Sequence, residues 1–174
     1  MNGATHELTD LLCTQCGLCC NGTLFADVEL KNSREAAAVE DLGLEIDEGD
    51  ENPVLSQPCA ALHGRRCSIY EHRPSCCRTF ECQLLTRTRQ GDVDTDQAAD
   101  IIAGTLDLVE RVRDLLQQLE RHDDRLPIGE QVQEALSAFE VDEEAFETRL
   151  LRVELQNAMA HLERRIRVHF TNDA

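Results

Sequence analysis

Nine cysteines lie within the first 82 of the 174 residues, and their spacing constrains the chain more than any other feature. Four of them form the run Cys13-Thr-Gln-Cys16-Gly-Leu-Cys19-Cys20. The remaining five follow at wider intervals: Cys59, Cys67, Cys76, Cys77 and Cys82. A Cys-x-x-Cys pair turns two sulfurs to the same side of the backbone, so that both can bind one metal ion. The cysteines therefore predict a metal site built from thiolates.

The identity of the metal is left open by the cysteine pattern. Three cysteines spaced Cys-x-x-Cys-x-x-Cys are typical of iron–sulfur loops, whose fourth ligand is remote. Closed sites of four cysteines are common for zinc. The adjacent Cys19 and Cys20 diverge, which favours two metals or a bridging sulfur. The second cluster lacks its own Cys-x-x-Cys, so this is not a simple zinc ribbon, and the two clusters are expected to fold together around shared metal.

The N-terminal residues resemble no signal peptide, because they lack a basic segment followed by an apolar one. No run of about 18 apolar residues predicts a membrane span. A cytoplasmic location is therefore expected. In that reducing compartment, clustered cysteines bind metal more often than they form disulfides, and an odd number fits full pairing poorly.

Charge excludes two classes of partner. The net charge is −17, so nucleic acid and anionic membranes would repel the chain. Residues 59–89 are the exception, with a net charge of +4 from six arginines and two glutamates. This stretch also holds the second cysteine cluster. We therefore expect its arginines to offset the negative charge of metal-bound thiolates.

The remaining patterns predict a mostly α fold, with an irregular cysteine-organised module at 1–89 and an acidic helical region at 90–174. A short helix is expected over Asp27–Leu42, ended by Gly43. An apolar stripe from Ile101 to Leu119 predicts a long helix, and Asp94 with Gln97 resembles a capping box. A short helix at Gly129–Phe139 and a long one from about Asp142 complete an antiparallel hairpin or small bundle. That region is also a candidate surface for a protein partner or a homodimer.

The chain resembles the CxxCxxCC cysteine-cluster family, the YkgJ-like zinc- or iron-chelating proteins. The resemblance rests on the first cysteine run, on Pro58-Cys59 with Leu62, on Cys67-Ser-Ile-Tyr70, and on Arg73-Pro-x-x-Cys77-Arg-x-Phe80-x-Cys82. It covers roughly residues 13–85 and implies eight metal ligands: Cys13, Cys16, Cys19, Cys20, Cys59, Cys67, Cys77 and Cys82. Cys76 falls at a variable position of the pattern and is treated as additional.

Three functions are compatible with this cluster. The first is a metal-binding module without catalysis, which binds zinc or iron and is folded by its metal. The second is an iron–sulfur redox or protein-modification enzyme or accessory, since flagellin lysine methylases have a related cysteine pattern. The third is metal buffering or delivery. No catalytic residue is assigned: Tyr70 and Phe80 are expected to pack the module, Arg73 and Arg78 to support it, and His63 and His72 to lie at the surface.

Overall fold

The computed structural model describes residues 3–137 and 146–171. Its contacts divide the chain into two compact units, Met1–Glu81 and Cys82–Ala174. In the described residues, most regular structure is helical, and the strands are short antiparallel pairs. The mostly α fold predicted from the sequence is therefore confirmed. The predicted domain limits, 1–89 and 90–174, stay a prediction.

The first unit opens with helix α1, Gly3–Cys16, which ends inside the first cysteine run. Gly17 ends the helix because its backbone φ of 70° lies in the left-handed region that other residues disfavour. The chain then turns tightly, with the amides of Cys20 and Asn21 both donating to the Gly17 carbonyl at 2.9 and 3.0 Å. The buried Leu18 anchors this turn.

The segment between the two cysteine clusters contributes most of a small apolar core. Strand β1, Asp27–Glu29, pairs antiparallel with strand β2, Val54–Ser56, and helix α2 spans Ser33–Glu40. The helix predicted over Asp27–Leu42 is thus wrong for its first six residues. Asn32 caps α2 by accepting hydrogen bonds from the amides of Arg34 and Glu35, which fixes the start of the helix. Gly43 follows the helix with a φ of 85°, as expected.

The second cysteine cluster is irregular, with only short elements. Strands β3, Leu62–His63, and β4, Arg66–Cys67, form a hairpin. A single 3-10 turn follows at Tyr70–His72, and helix α3 spans Ser75–Thr79. The first unit therefore has little regular structure with which to hold the cysteine-bearing segments together.

The second unit consists of four helices in its described part: α4, Gln83–Gln90; α5, Thr95–Gln118; α6, Ile128–Ser137; and α7, Phe146–His169. Asp94 and Gln97 form the predicted capping box. The predicted helix ends at Phe139 and near Asp142 lie outside the described residues. Although α5 and α7 each have 24 residues, neither they nor any other described helix is apolar enough to cross a membrane.

Helices α5 and α7 pack antiparallel. Arg111 of α5 pairs with Glu154 of α7 at 2.6 Å, whereas Thr105, earlier in α5, meets Arg165, later in α7. The contact is mainly apolar, and its fully buried side chains come from both helices: Val109, Val112, Leu115, Leu116, Leu155 and Leu162. The predicted antiparallel helical arrangement is therefore present in the second unit.

One buried polar contact crosses this apolar interface. Thr105 is fully buried, donates to the Ile101 carbonyl at 2.7 Å and accepts from Arg165 Nε at 2.9 Å. Arg165 also donates to the Ile101 carbonyl at 3.2 Å. Gly104 makes room for the guanidinium, because a Cβ there would lie 2.7 Å from Arg165 Nη2. Thr105, a polar residue within the predicted apolar stripe, thus has a specific partner in α7.

We expect Thr105→Val to destabilise the protein by about 1–3 kcal/mol, because it leaves a partly buried Arg165 donor without its acceptor. Urea unfolding followed by far-UV circular dichroism measures the change. Arg165→Met is the partner variant. Since replacing both partners by apolar groups removes the unsatisfied donor, the double variant should lose less stability than the two single losses combined. Strictly additive losses would show that the two residues do not interact.

Candidate metal centre

The first cysteine run places its sulfurs at the end of a helix and in the turn that follows. Cys13 and Cys16 lie three residues apart in the last turn of α1, so they share one face of the helix. Cys19 and Cys20 lie in the turn after Gly17. All four side chains are half-buried. The local backbone therefore presents two of the thiols from a helix face and the other two from a tight turn.

Backbone contacts join the second cluster to this turn. The Cys59 amide donates to the Cys20 carbonyl at 2.8 Å, and the Leu62 amide donates to the Cys59 carbonyl at 2.9 Å. Cys59 begins the segment that leads into β3, whose Leu62 pairs with Cys67 across the hairpin. The structure thus brings the first cluster and four of the five cysteines of the second into one unit. The shared metal remains a prediction.

The tip of the β3–β4 hairpin packs against the end of α1. Arg65 Nη1 donates to the Gln15 carbonyl at 3.3 Å, which satisfies one of the carbonyls left open at a helix end. A Cβ at Gly17 would lie 3.5 Å from the Arg65 Cα. The hairpin therefore lies directly beside the turn that carries Cys19 and Cys20.

The thiols are close enough to affect one another's protonation. Burial, together with the neighbouring Cys59, Cys67 and Cys13, raises the pKa of Cys20 to about 12, while the Arg73 guanidinium opposes the rise. Burial also raises the pKa of Cys59, with Cys67 contributing. Anionic sulfurs in one partly buried place repel each other, whereas a coordinated cation stabilises them as thiolates. The donor set therefore fits zinc or iron.

Helix α3 adds a pair of adjacent thiols to this group. Cys76 and Cys77 have their sulfurs 3.9 Å apart. Their shared hydrogen bond lowers the pKa of Cys76 to about 7 and raises the pKa of Cys77. Cys20 and Cys59 also raise the pKa of Cys77, so the structure places Cys77 near both cysteine clusters.

Glu35 positions helix α3 from a distant part of the sequence. Its carboxylate accepts from the Ser75 amide at 2.6 Å and from the Lys31 amide at 2.8 Å. It thereby connects the start of α2 to the start of α3, which carries the adjacent thiols. No sequence motif marks this role, because Glu35 and Ser75 are 40 residues apart.

Asp10 is a second residue that the sequence pattern did not single out. It accepts a hydrogen bond from the Tyr70 hydroxyl at 2.5 Å. Asp10 precedes Cys13 by three residues on α1, so helical spacing from the first cysteine could have identified it. The Tyr70 side chain is half-buried, and the Arg73 guanidinium carbon lies 3.4 Å from its ring centroid.

The remaining predicted residues are placed as follows. Cys82 belongs to the second unit, where it caps α4 and its sulfur accepts from the Leu85 amide at 3.5 Å. His63 and His72 are exposed. Phe80 packs edge-to-face on Phe25, with ring centroids 5.1 Å apart. The eight predicted ligands remain a prediction.

All nine cysteines lie in the described residues, and none of them forms a disulfide. Within residues 3–137 and 146–171, no three His, Cys, Asp or Glu side chains stand in an arrangement that could hold a metal ion as placed. Seven of the eight predicted ligands belong to the first unit. The structure thus gathers thiols in one unit rather than displaying a closed coordination sphere.

Comparison with known proteins identifies one family. The model of the CxxCxxCC family, described as a putative zinc- or iron-chelating domain, matches residues 12–100, about half of the chain. No curated protein and no solved structure matches significantly. The matched range includes all nine cysteines.

Glu35 predicts a pH dependence of stability. Burial alone would raise the pKa of its carboxyl, but hydrogen bonds from Ser75 and Lys31 outweigh burial and hold the pKa below its ordinary value of 4.5. The stabilisation is therefore complete above about pH 4.5 and is lost as the pH falls through the lower folded-state pKa. We expect Glu35→Gln to lower the melting temperature at pH 7.

That difference from the unmodified protein should shrink as the pH falls below 4.5 and the Glu35 carboxyl of the unmodified protein becomes neutral. Glu40→Gln is a matched control, because Glu40 is an exposed glutamate of the same helix. Thermal unfolding at several pH values measures both differences. A Glu35→Gln difference that stays constant between pH 7 and pH 3 would contradict the assigned role.

Proposed function

The chain belongs to the CxxCxxCC family of zinc- or iron-chelating domains, and from this premise we propose that its cysteine thiolates bind zinc or iron in a module organised by that metal. The proposed ligands are the eight cysteines of the family pattern: Cys13, Cys16, Cys19, Cys20, Cys59, Cys67, Cys77 and Cys82. The supporting observation is the convergence of both clusters, joined by the Cys59–Cys20 backbone hydrogen bond.

A structural role for the metal is supported by the small core of the first unit. Its main apolar cluster has six buried residues, namely Leu30, Ala36, Val39, Leu44, Leu55 and Ala61. Three cysteines, Cys59, Cys67 and Cys76, pack against that cluster. Small modules with little core often obtain their folding free energy from a bound metal. Metal binding and folding are therefore proposed to be one process in the first unit.

An iron–sulfur centre is the second candidate, and the Cys-x-x-Cys-x-x-Cys spacing favours it. Elemental analysis and an absorption spectrum of untagged protein, purified without air, separate the two. Iron with inorganic sulfide and a band near about 400 nm would indicate an iron–sulfur centre and a redox or modification role. A colourless protein with about one or two zinc ions would indicate a structural module. Protein that binds neither metal would contradict the proposal.

The ligand assignment predicts the effects of single substitutions. Cys16→Ser and Cys77→Ser should each lower the metal content, by about one ion per chain if the metal is zinc, because a four-thiolate site loses a ligand. Cys76→Ser is the matched control, since it makes the same chemical change beside Cys77 at a position outside the family pattern. Metal content is measured by mass spectrometry of the elements. Equal loss in the control would contradict the assignment.

Metal removal should affect the two units differently. In the first unit, amide hydrogen exchange over residues 13–81 should rise strongly when a chelator removes the metal, since the folding free energy of structural zinc is on the order of 10 kcal/mol. Helices α5 and α7 should remain protected, because their apolar interface contains no cysteine. Adding zinc or iron back should restore the slow amide hydrogen exchange of the first unit. Equal deprotection of α5 and α7 would contradict this division.

A further inference from the structure

Three side chains outside the cysteine set connect the segments that carry the thiols. The Tyr70 hydroxyl donates to Asp10 Oδ1 at 2.5 Å, although the two residues are 60 positions apart. The Arg73 guanidinium carbon lies 3.4 Å from the centroid of the Tyr70 ring. Arg73 Nε also donates to the Tyr70 carbonyl at 2.8 Å. These contacts fix both the Tyr70 ring and the Arg73 guanidinium in position.

The three residues all lie close in the sequence to cysteines of the two clusters. Asp10 lies one helical turn before Cys13, on the same face of α1. Tyr70 follows Cys67 by three residues, and Arg73 precedes Cys77 by four. The hydrogen bond between Asp10 and Tyr70 therefore ties the helix that carries the first thiols to the segment between two later ones.

The positive charge of Arg73 supports the same arrangement. A divalent ion bound by four thiolates has a formal charge of −2, which a nearby guanidinium offsets. The contacts with Tyr70 hold the Arg73 guanidinium in the segment between Cys67 and Cys77, four residues before Cys77. The planar guanidinium can stack on the Tyr70 ring while its edge donates to the Tyr70 carbonyl.

We propose that Asp10, Tyr70 and Arg73 form an outer shell of the metal centre, in which Asp10 acts through the Tyr70 hydroxyl to position the first thiols and Arg73 offsets the charge of the bound thiolates. The proposal rests on the proposed metal-binding function. Outer-shell groups of this kind keep the ligands oriented in the metal-bound module, so their loss weakens metal binding even when every ligand remains.

The test measures the affinity of reduced, metal-free protein for Zn²⁺ and for Fe²⁺ alone, in competition with a chromogenic chelator and without air. Asp10→Ala and Tyr70→Phe should each weaken binding about tenfold. Because Asp10 acts through the Tyr70 hydroxyl, the double variant should bind no more weakly than either single variant. If the losses of affinity in the two single variants instead multiply in the double variant, the assigned role of Asp10 is overturned.

Arg73 is tested with its own pair of variants. Arg73→Gln removes the charge and should weaken binding about tenfold, whereas Arg73→Lys keeps the charge without the planar contact and should recover part of the loss. Arg66→Gln is the matched control, because Arg66 is an exposed arginine of the same cluster. The Arg66→Gln variant should bind metal as the unmodified protein does. Equal losses in Arg66→Gln and Arg73→Gln would overturn the local role of Arg73.

The far-UV circular dichroism spectrum of each variant at saturating metal separates positioning from a failure to fold. We expect every variant to reach the spectrum of the unmodified protein at saturating Zn²⁺, although the affinities differ. Affinity losses confined to variants that do not reach that spectrum would overturn the proposal. If the unmodified protein binds metal and all variants bind it equally, only the outer shell is refuted. If the unmodified protein binds neither ion, the proposed metal-binding function is refuted as well.

Discussion

The repulsion between thiolates held close together is the constraint on which the first unit depends. The Cys59–Cys20 backbone hydrogen bond, 2.8 Å long, keeps the two clusters together, and burial, with a contribution from the neighbouring thiols, raises the pKa of Cys20 to about 12. Such a group is stable as neutral thiols or as thiolates around a cation. The apolar cluster beneath it is small, so a metal that replaces the protons would add much of the folding free energy.

The second unit is stabilised in a different way. Helices α5 and α7 bury leucines and valines along their contact, and one buried polar pair among the described residues, Thr105 and Arg165, crosses that contact. Hydrophobic burial at this scale needs no metal. The chain therefore combines a unit whose order is proposed to depend on metal with a unit whose order comes from apolar packing. Cys82, the cap of α4, is the proposed ligand that belongs to the second unit.

Local features were predictable from the sequence, whereas contacts between distant residues were not. Asp94 with Gln97 and the glycine after α2 act within a few residues, so their patterns were read correctly. The sequence predicted a helix from Asp27, but pairing with Val54–Ser56 makes Asp27–Glu29 a strand. The roles of Asp10 and Glu35 depend on partners 60 and 40 residues away, which no local pattern encodes.

The distribution of charge gives the thiolate centre two separate sources of electrostatic support. The chain as a whole carries a net charge of −17, and a field of that sign draws divalent cations towards the protein while it repels nucleic acid. The same field makes each thiolate more costly to form. Arg73, held against the Tyr70 ring, lowers that cost at Cys20. Long-range attraction thus favours the arrival of a metal ion, and local compensation favours its retention.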